Sequence, residues 1–598
     1  MTLSLNPCSP RLLLACVLFV ISTSAGAGDA QLRWSGVDRV VAFADVHGAY
    51  DELVDLLQTT GVIDDNLTWT GGKTHLVSTG DLLDRGPHSR KVVDLLMALQ
   101  KEAVASGGYA HVLLGNHELM NVTGDLRYVS TQEYRAFANE EPAGDREAAY
   151  AEFVSDRLLA ASESLRSEFD QRHPPGYFGL RAAFAPDGKY GQWLLERPLM
   201  IVINRTAFTH GGLPPLVASL GLEQTNRALG EALDNYVESW QQLVNMGLVS
   251  EYADATRESG ELEDKLTADS TGTAQEFIRS SKSDIFDDDG PLWYRGTALC
   301  HPLLETAVTT AALNKLEVDR VVVGHTPTTD HRVTMRMDNR VVLLDTGMLG
   351  FYYKGVPSAL VMKNDQINIV YPKGSPKDPS ALDDPDLEQF LREAPYSFDE
   401  ATNSVVLRQA GRELSAVFRA KKDAPNYAKE IAAYRIDRLL ELRMVPVTVE
   451  RKIAGRLGML SLRSQDYIDE SERLNAGTPI PAWCASGNDY DLMYAFDGLV
   501  GNEGRTRQSM LYFGPDVSLH LTGFGRAFGT RPDLPAYLDN AELSLAPELV
   551  RRLEMLNEDS LGGELTSLLS KRQIRAVLKR RDVMLKSWPR TGLHGQNR

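Results

Sequence analysis

Cysteine is nearly absent from this chain: four in 598 residues, at Cys8, Cys16, Cys300 and Cys484. That scarcity excludes a disulfide-stapled scaffold, and with no C-x-x-C pair it also excludes a closed thiolate zinc site. Basic charge is short as well. Lys and Arg number 63 against 81 Asp and Glu, a formal net charge of -18, so the field of the molecule repels nucleic acid and anionic membrane surfaces as principal partners. Long apolar runs are also missing. The run at residues 12–21 is too short to span a bilayer comfortably, and no internal repeat or low-complexity tract stands out.

That short run has a recognisable setting. Arg11 precedes it, and small residues follow, ending at Ala25-Gly26-Ala27. This is the layout of a secretory signal with an A-x-A-like cleavage site, so residues 1–27 are expected to be removed from an exported, periplasmic or secreted protein with no transmembrane segment. Leu13-Leu14-Ala15-Cys16 offers an alternative, lipid anchoring at Cys16, but most of the apolar run lies after that cysteine. After cleavage Cys300 and Cys484 remain, and both one bridge and two free thiols stay open.

At 598 residues the chain exceeds one ordinary core, and two or three domains are expected. Between residues 38 and 370, β-branched runs recur and several stop on polar clusters: R-V-V-A-F-A-D, H-L-V-S-T-G-D, A-H-V-L-L-G-N-H-E, L-M-I-V-I-N-R-T-A-F-T-H-G-G and D-R-V-V-V-G-H-T. Such runs suit strands covered on both faces. Helix-like segments at residues 50–60 and 90–105 alternate with them, which predicts an α/β domain with ligand groups at the strands' carboxyl ends. Residues 126–199 and 216–290 read as helical insertions beside that edge. The stretch at 371–386, rich in Pro, Asp, Ser and Lys, reads as a linker to a second, α+β domain at 387–598.

The clusters at the strand ends are Asp45-x-His47, Gly80-Asp81-x-x-Asp84-Arg85-Gly86, Gly115-Asn116-His117-Glu118, His210-Gly211-Gly212 and Gly324-His325. Singly, each is ordinary turn or cap chemistry. Jointly they assemble oxygen and imidazole donors, which suit Mn, Fe or Zn. Other histidines, among them His75, His88, His111, His173, His301 and His331, fall outside the clusters and are read as structural, and the acidic run at 284–289 lacks the spacing of a calcium loop.

In this order the clusters resemble the metallophosphoesterase (calcineurin-like) superfamily, in particular its phosphoprotein phosphatase branch; Ala44 stands where the branch opens on glycine. G-N-H-E-L-M-N-V-T-G-D-L-R-Y-V and G-P-L-W-Y-R-G are similar to bacterial-type, Shewanella-like phosphatases. The resemblance implies a four-layer β-sandwich flanked by helices and two divalent metal ions. Asp45 and His47 would bind the first, Asp81 both, and Asn116, His210 and His325 the second. It implies Arg85 and Arg295 on the phosphate, His117 as the acid for the leaving group with Asp84 orienting it, and direct attack by a metal-bridging hydroxide. Gly324-His325 is followed by Thr326-Pro327, without the second histidine of many relatives, which again points to the phosphoprotein phosphatase branch.

The C-terminal region weakly resembles a divergent, phosphoinositide-kinase-like fold through F-D-G-L-V-G-N-E-G-R and L-H-L-T-G-F-G-R-A-F. Gly504, Gln508 or Ser509, and Gly523 stand where such kinases keep their catalytic and magnesium-binding residues. Phosphoryl transfer without those carboxylates loses its main charge stabilisation, so the resemblance implies a pseudokinase-like binding module, with an unrelated α+β domain as the alternative. The functional expectation for the whole chain is a dimetal phosphomonoesterase acting on phosphorylated proteins, on Ser/Thr or Tyr. Its rivals are a small-molecule phosphatase or dinucleoside polyphosphate hydrolase, and a binding or regulatory module whose phosphatase site is incidental.

Overall fold

The β-branched runs pair into two sheets stacked face to face. One has the order Gln366–Val370, Ala359–Lys363, Arg39–Phe43, His75–Ser78, Tyr109–Val112. The last three strands are parallel, with Val41 opposite Leu76 and Leu76 opposite Ala110. The other has the order Arg33–Trp34, Met200–Ile203, Thr206–Thr209, Arg320–Val323, Val341–Leu343, Thr334–Arg336. The run L-M-I-V-I-N-R-T-A-F-T, continuous in sequence, is an antiparallel hairpin here, turned at Asn204 with φ 54°.

This is a computed structural model, and it describes residues 31–156, 161–250, 272–364, 366–374, 384–463, 467–479, 484, 489–513, 518–538 and 543–590. The expected signal segment, 1–27, and the middle of the expected linker lie outside the described residues. A helix already begins at Asp384 and runs to Glu393.

Strand alternation sends side chains to two different cores. Ala42, Val77, Leu113, Phe208, Val322 and Val342 fill the space between the sheets. Val41, Phe43 and Leu76 face outward onto helices Tyr50–Thr59 and Ser89–Ala105, while Val321 and Val323 meet helix Pro302–Leu316 on the opposite side. The result is the four-layer arrangement expected from the sequence. Phe208 is fully buried at its centre, and truncating such a residue to alanine costs about 3–5 kcal/mol. Both insertions are helical where described, including Leu222–Asn245, with buried residues at Leu222, Thr225, Leu229, Leu233 and Tyr236 on one face.

The C-terminal region has a five-stranded antiparallel sheet in the order Tyr396–Asp399, Ser404–Gln409, Arg412–Ala420, Arg456–Leu462, Thr448–Ile453. Two of its hairpins close on Ala-Gly pairs, Ala410-Gly411 and Ala454-Gly455, all four residues at positive φ, as a two-residue type I′ turn requires. A smaller sheet (Ile468–Asp469, Met510–Phe513, Ser518–Leu521) and helices Asp489–Val500, Pro547–Met555 and Lys571–Ser587 complete it. Among the described residues no helix is long and apolar enough to cross a membrane.

The two regions do not have separate cores. Leu303 and Leu304, at the start of Pro302–Leu316, belong to the C-terminal apolar cluster with Leu442, Met444 and Leu492. Ala312, Leu313 and Leu316 of the same helix belong to the first region. Cys300 and Cys484, whose pairing the sequence left open, form a disulfide with Cα atoms 5.5 Å apart. Leu32–Arg598 is accordingly one compact unit.

Candidate active site

Parallel strands deliver their last residues to one edge. Asp45 follows Arg39–Phe43, Asp81 follows His75–Ser78, and Asn116 follows Tyr109–Val112 by one short turn. From the second sheet His210 follows Thr206–Thr209 and His325 follows Arg320–Val323, also parallel neighbours. These five and His47, two residues after Asp45, are each 6% exposed or less.

The loops that carry them are wound tightly. His47, Asp81, Asp84, Arg85 and His325 all have positive φ, a costly conformation for residues with a Cβ. Glycines let these loops touch: a Cβ on Gly115 would lie 2.4 Å from Asp81 Oδ1, and one on Gly324 would lie 2.4 Å from Asp45 Oδ1. Ala44 is buried beside Gly324 without conflict, so the departure at that position leaves the loop intact.

Asp81 is the centre. Its Oδ2 lies 3.7 Å from His47 Nε2 and 3.9 Å from His117 Nε2, and its Oδ1 lies 3.2 Å from His210 Nε2. Two donor triads result, His47-Asp81-His117 and Asp81-His210-His325, with Asp81 in both. Asn116 Oδ1 adds a donor 2.9 Å from His210 Nε2. Asp45 stands next to the first triad, Oδ2 4.0 Å from His47 Nε2, and both of its oxygens accept from the His325 backbone N–H.

The imidazoles are oriented from behind. His47 Nδ1 bonds Leu83 O at 2.8 Å and His210 Nδ1 bonds Thr79 O at 3.0 Å, which turns each Nε2 toward Asp81, as metal-ligating histidines require.

Electrostatics point the same way. Burial raises Asp45, and the neighbouring Asp81 raises it further. Burial alone would raise Asp81 too, but the facing His210 and His117 rings hold it well below the usual carboxylate range. Burial lowers His210, and Asp81 overrides it to bring the ring up to about 9. Burial holds His47 and His325 well below the usual imidazole range. Carboxylates crowded together in a dry site, beside the neutral His47 and His325 rings, fit a pair of divalent cations.

His117 and Asp84 form a pair at 2.5 Å, Nδ1 to Oδ2. Asn121 Nδ2 donates to the other Asp84 oxygen at 3.0 Å. Burial lowers His117, but Asp81 and Asp84 together raise it above the ordinary histidine value. Arg85 is clasped by rings, its guanidinium carbon 5.4 Å from the centres of Tyr128 and Tyr353 and 5.6 Å from Tyr352, and it donates to Tyr353 Oη. Its Nε is buried with no partner. Arg295 reaches the same edge from the segment after the second insertion and donates to His325 O at 3.0 Å and Thr326 Oγ1 at 3.1 Å.

Three contributors have no role in the sequence reading, where Glu118 stands only as a member of its cluster. Glu118 accepts from the backbone N–H groups of Asp81, Leu82 and Gly115, each at 2.8 Å, and burial lifts it to about 7. Asp345 follows strand Val341–Leu343 and is buried against Asp45. Its L-L-D-T-G context repeats the signature of a strand ending on a carboxylate, and that signal was available. The aromatic collar had no such signal, because Tyr128 and Tyr353 are 225 residues apart in sequence.

In the C-terminal region Gly504 and Gly523 stand where a side chain would crowd its neighbours. A Cβ on Gly504 would lie 3.0 Å from Arg526 Cδ, and one on Gly523 would lie 2.8 Å from Ser509 Cβ. The nearby carboxylate of Asp497 is consumed by Arg505, Asn502 and Tyr537.

The chain is similar to several known proteins. An uncharacterized protein of Schizosaccharomyces pombe is 30% identical over 353 residues, 58% of this chain and 83% of its own. Shewanella-like protein phosphatase 2 of Arabidopsis thaliana is 32% identical over 203 residues, 33% of this chain and 52% of its own. The solved cold-active protein-tyrosine phosphatase of a psychrophilic Shewanella aligns at 25% identity with a TM-score of 0.38, over 57% of this chain and 81% of that one. The profile of the calcineurin-like phosphoesterases matches residues 38–328. Those bounds enclose every donor around Asp81, and the chain belongs to that family of metal-dependent phosphoester hydrolases.

Proposed function

We propose that this protein is an exported phosphomonoesterase acting on phosphorylated proteins, with phosphotyrosine as its preferred residue. The observation that carries the reading is Asp81 shared by two donor triads beside a histidine-carboxylate pair and two arginines. Two divalent cations, manganese among the candidates, would supply the charge that activates water and neutralises the phosphoryl oxygens. Asp45 and His47 would hold one, Asn116, His210 and His325 the other, and Asp81 both.

Arg85 and Arg295 bind the non-bridging oxygens as planar forks. His117 gives its Nε2 proton to the departing oxygen, and Asp84 keeps the ring protonated and aimed through Nδ1. Asn121 fixes Asp84 in turn.

The preference for an aromatic leaving group rests on the collar. Tyr128, 41% exposed, lies 5.2 Å from the His117 ring, and Tyr352, also exposed, lies 5.6 Å from the Arg85 guanidinium carbon. A phenyl ring leaving beside His117 stacks on these faces, worth about 0.5–1.5 kcal/mol per contact. Export is supported by the signal-like N-terminus and by the disulfide, which persists in oxidising compartments.

The test is a panel of matched phosphotyrosine, phosphoserine and phosphothreonine peptides with the Mn-loaded chain. The expected order puts phosphotyrosine first, and Tyr128→Ala narrows the gap about fivefold. Equal rates on all three peptides would remove the preference; no hydrolysis of any would remove the function.

A further inference from the structure

The link between the two regions passes through the segment that carries Arg295. This arginine caps the short helix Gly296–Leu299, which ends at Cys300. Every turn of the segment from there to Leu304 is held. Tyr294, fully buried, donates to Glu305 at 2.9 Å. Thr297 Oγ1 accepts from Leu213 N at 2.9 Å, which ties the helix to the loop of His210. Arg336 straps it from the outside, donating to Thr297 O at 2.7 Å and to Cys300 O.

The remaining fixings come from the C-terminal region. Cys300 is bridged to Cys484 across 184 residues of sequence. His301 Nδ1 accepts from Leu303 N, so the ring proton is on Nε2, which donates to Leu442 O at 2.6 Å. Leu303 and Leu304 then enter the C-terminal core. Within ten residues the chain passes from a phosphate-binding arginine to the interior of the other region.

We propose that the C-terminal region sets the position of Arg295, with the Cys300–Cys484 bridge as the fastener, so that both cysteines act as positioning residues for the phosphatase reaction. The inference rests on the reading of Arg295 as a phosphate ligand. It gives the C-terminal region a part in the reaction that requires no chemistry of its own.

The experiment compares the metal-loaded full chain with Cys300→Ser/Cys484→Ser, Arg295→Ala and the triple variant, reading KM for p-nitrophenyl phosphate, competitive inhibition by inorganic phosphate, and metal content. The expected result is that loss of the bridge raises KM and the phosphate inhibition constant about five- to tenfold. Metal content stays at the wild-type level, and the bridge has no further effect once Arg295 is alanine. Unchanged constants on losing the bridge, while Arg295→Ala raises them, overturn the proposal alone. An equal effect of the bridge in the Arg295→Ala background also overturns it, because that is general loosening. If Arg295→Ala leaves phosphate inhibition untouched, the phosphate-ligand reading itself fails, and the proposal with it.

If the double serine variant does not fold, the wild-type chain is reduced in its folded state with a water-soluble phosphine. One phosphine and one water then become a phosphine oxide while the bridge becomes two thiols, and the same two constants are read.

Discussion

Positive φ at residues other than glycine marks turns and helix ends in both regions, Asn204 (54°) and Glu317 (56°) in the first among them, but only the first also uses it to gather a cluster of donors. In the first it gathers at the strand ends, at His47 (47°), Asp81 (54°), Asp84 (70°), Arg85 (64°) and His325 (65°), where side chains from five loops must reach one point. In the second it marks hairpin turns, Ala410 (51°) and Ala454 (48°), and the chain after a helix, Glu441 (57°). Each such residue costs on the order of 1–3 kcal/mol. In the first region the cost returns as an assembled donor cluster, and in the second as correctly twisted hairpins. Buried carboxylates divide likewise. Asp45, Asp81 and Asp345 crowd together and raise or oppose one another, whereas Asp497 is matched by Arg505 at 2.7 and 2.8 Å. Crowded carboxylates whose chemistry suits cations and a carboxylate neutralised by its own arginine are distinguishable on those grounds.

The contrast can be broken most sharply at Asp81. Asp81→Asn is expected to lower kcat/KM on p-nitrophenyl phosphate by 10³-fold or more, about 4 kcal/mol, with the circular dichroism spectrum unchanged; chelation of the wild-type chain with EDTA should do the same, reversed by adding Mn. Retained activity would mean that the shared carboxylate holds no metal.

Asp497→Ala should act in the opposite way, leaving Arg505 buried without its partner. A loss of roughly 3–5 kcal/mol of stability is expected in urea unfolding, while the folded fraction keeps its divalent metal content. Metal loss at unchanged stability would reverse the assignment of the two carboxylates.

Glu305 tests the buried carboxylates by pH. Burial raises it to about 8 despite the Tyr294 hydroxyl. The folded state therefore binds a proton that the unfolded state releases near pH 4.5, so stability present below that value is lost as pH rises toward 8. Glu305→Gln should flatten that slope, and at pH 9 the variant should exceed wild type by a few kcal/mol. Parallel stability-pH curves would contradict it. The smallest effect belongs to the hairpins: Ala410→Asn, a residue suited to left-handed backbone, should raise the thermal midpoint by a few degrees, on the order of 0.5–1 kcal/mol.

The candidate donors were legible because the fold puts them where sequence marks them, directly after short apolar runs. Asp45, Asp81 and His325 could be read as strand-end residues before any pairing was known. The collar around Arg85 and the Cys300–Cys484 bridge were not legible, since each depends on which distant loops the sheets bring together. The hairpin at Asn204 was hidden by a different cause. Its two strands are both buried and apolar, and periodicity cannot show where such a run doubles back.

Helix Pro302–Leu316 bears on how this protein can be dissected. Its first turn supplies Leu303 and Leu304 to one core and its last turn supplies Leu313 and Leu316 to the other. A chain cut in the 371–386 stretch would leave two leucines, the His301 ring and one unpaired thiol uncovered on the surface of the catalytic half. A face of that kind drives self-association and aggregation. Expression of the catalytic half alone should give insoluble or oligomeric material, and solubility would return only with replacements such as Leu303→Glu and Cys300→Ser that disguise the wound.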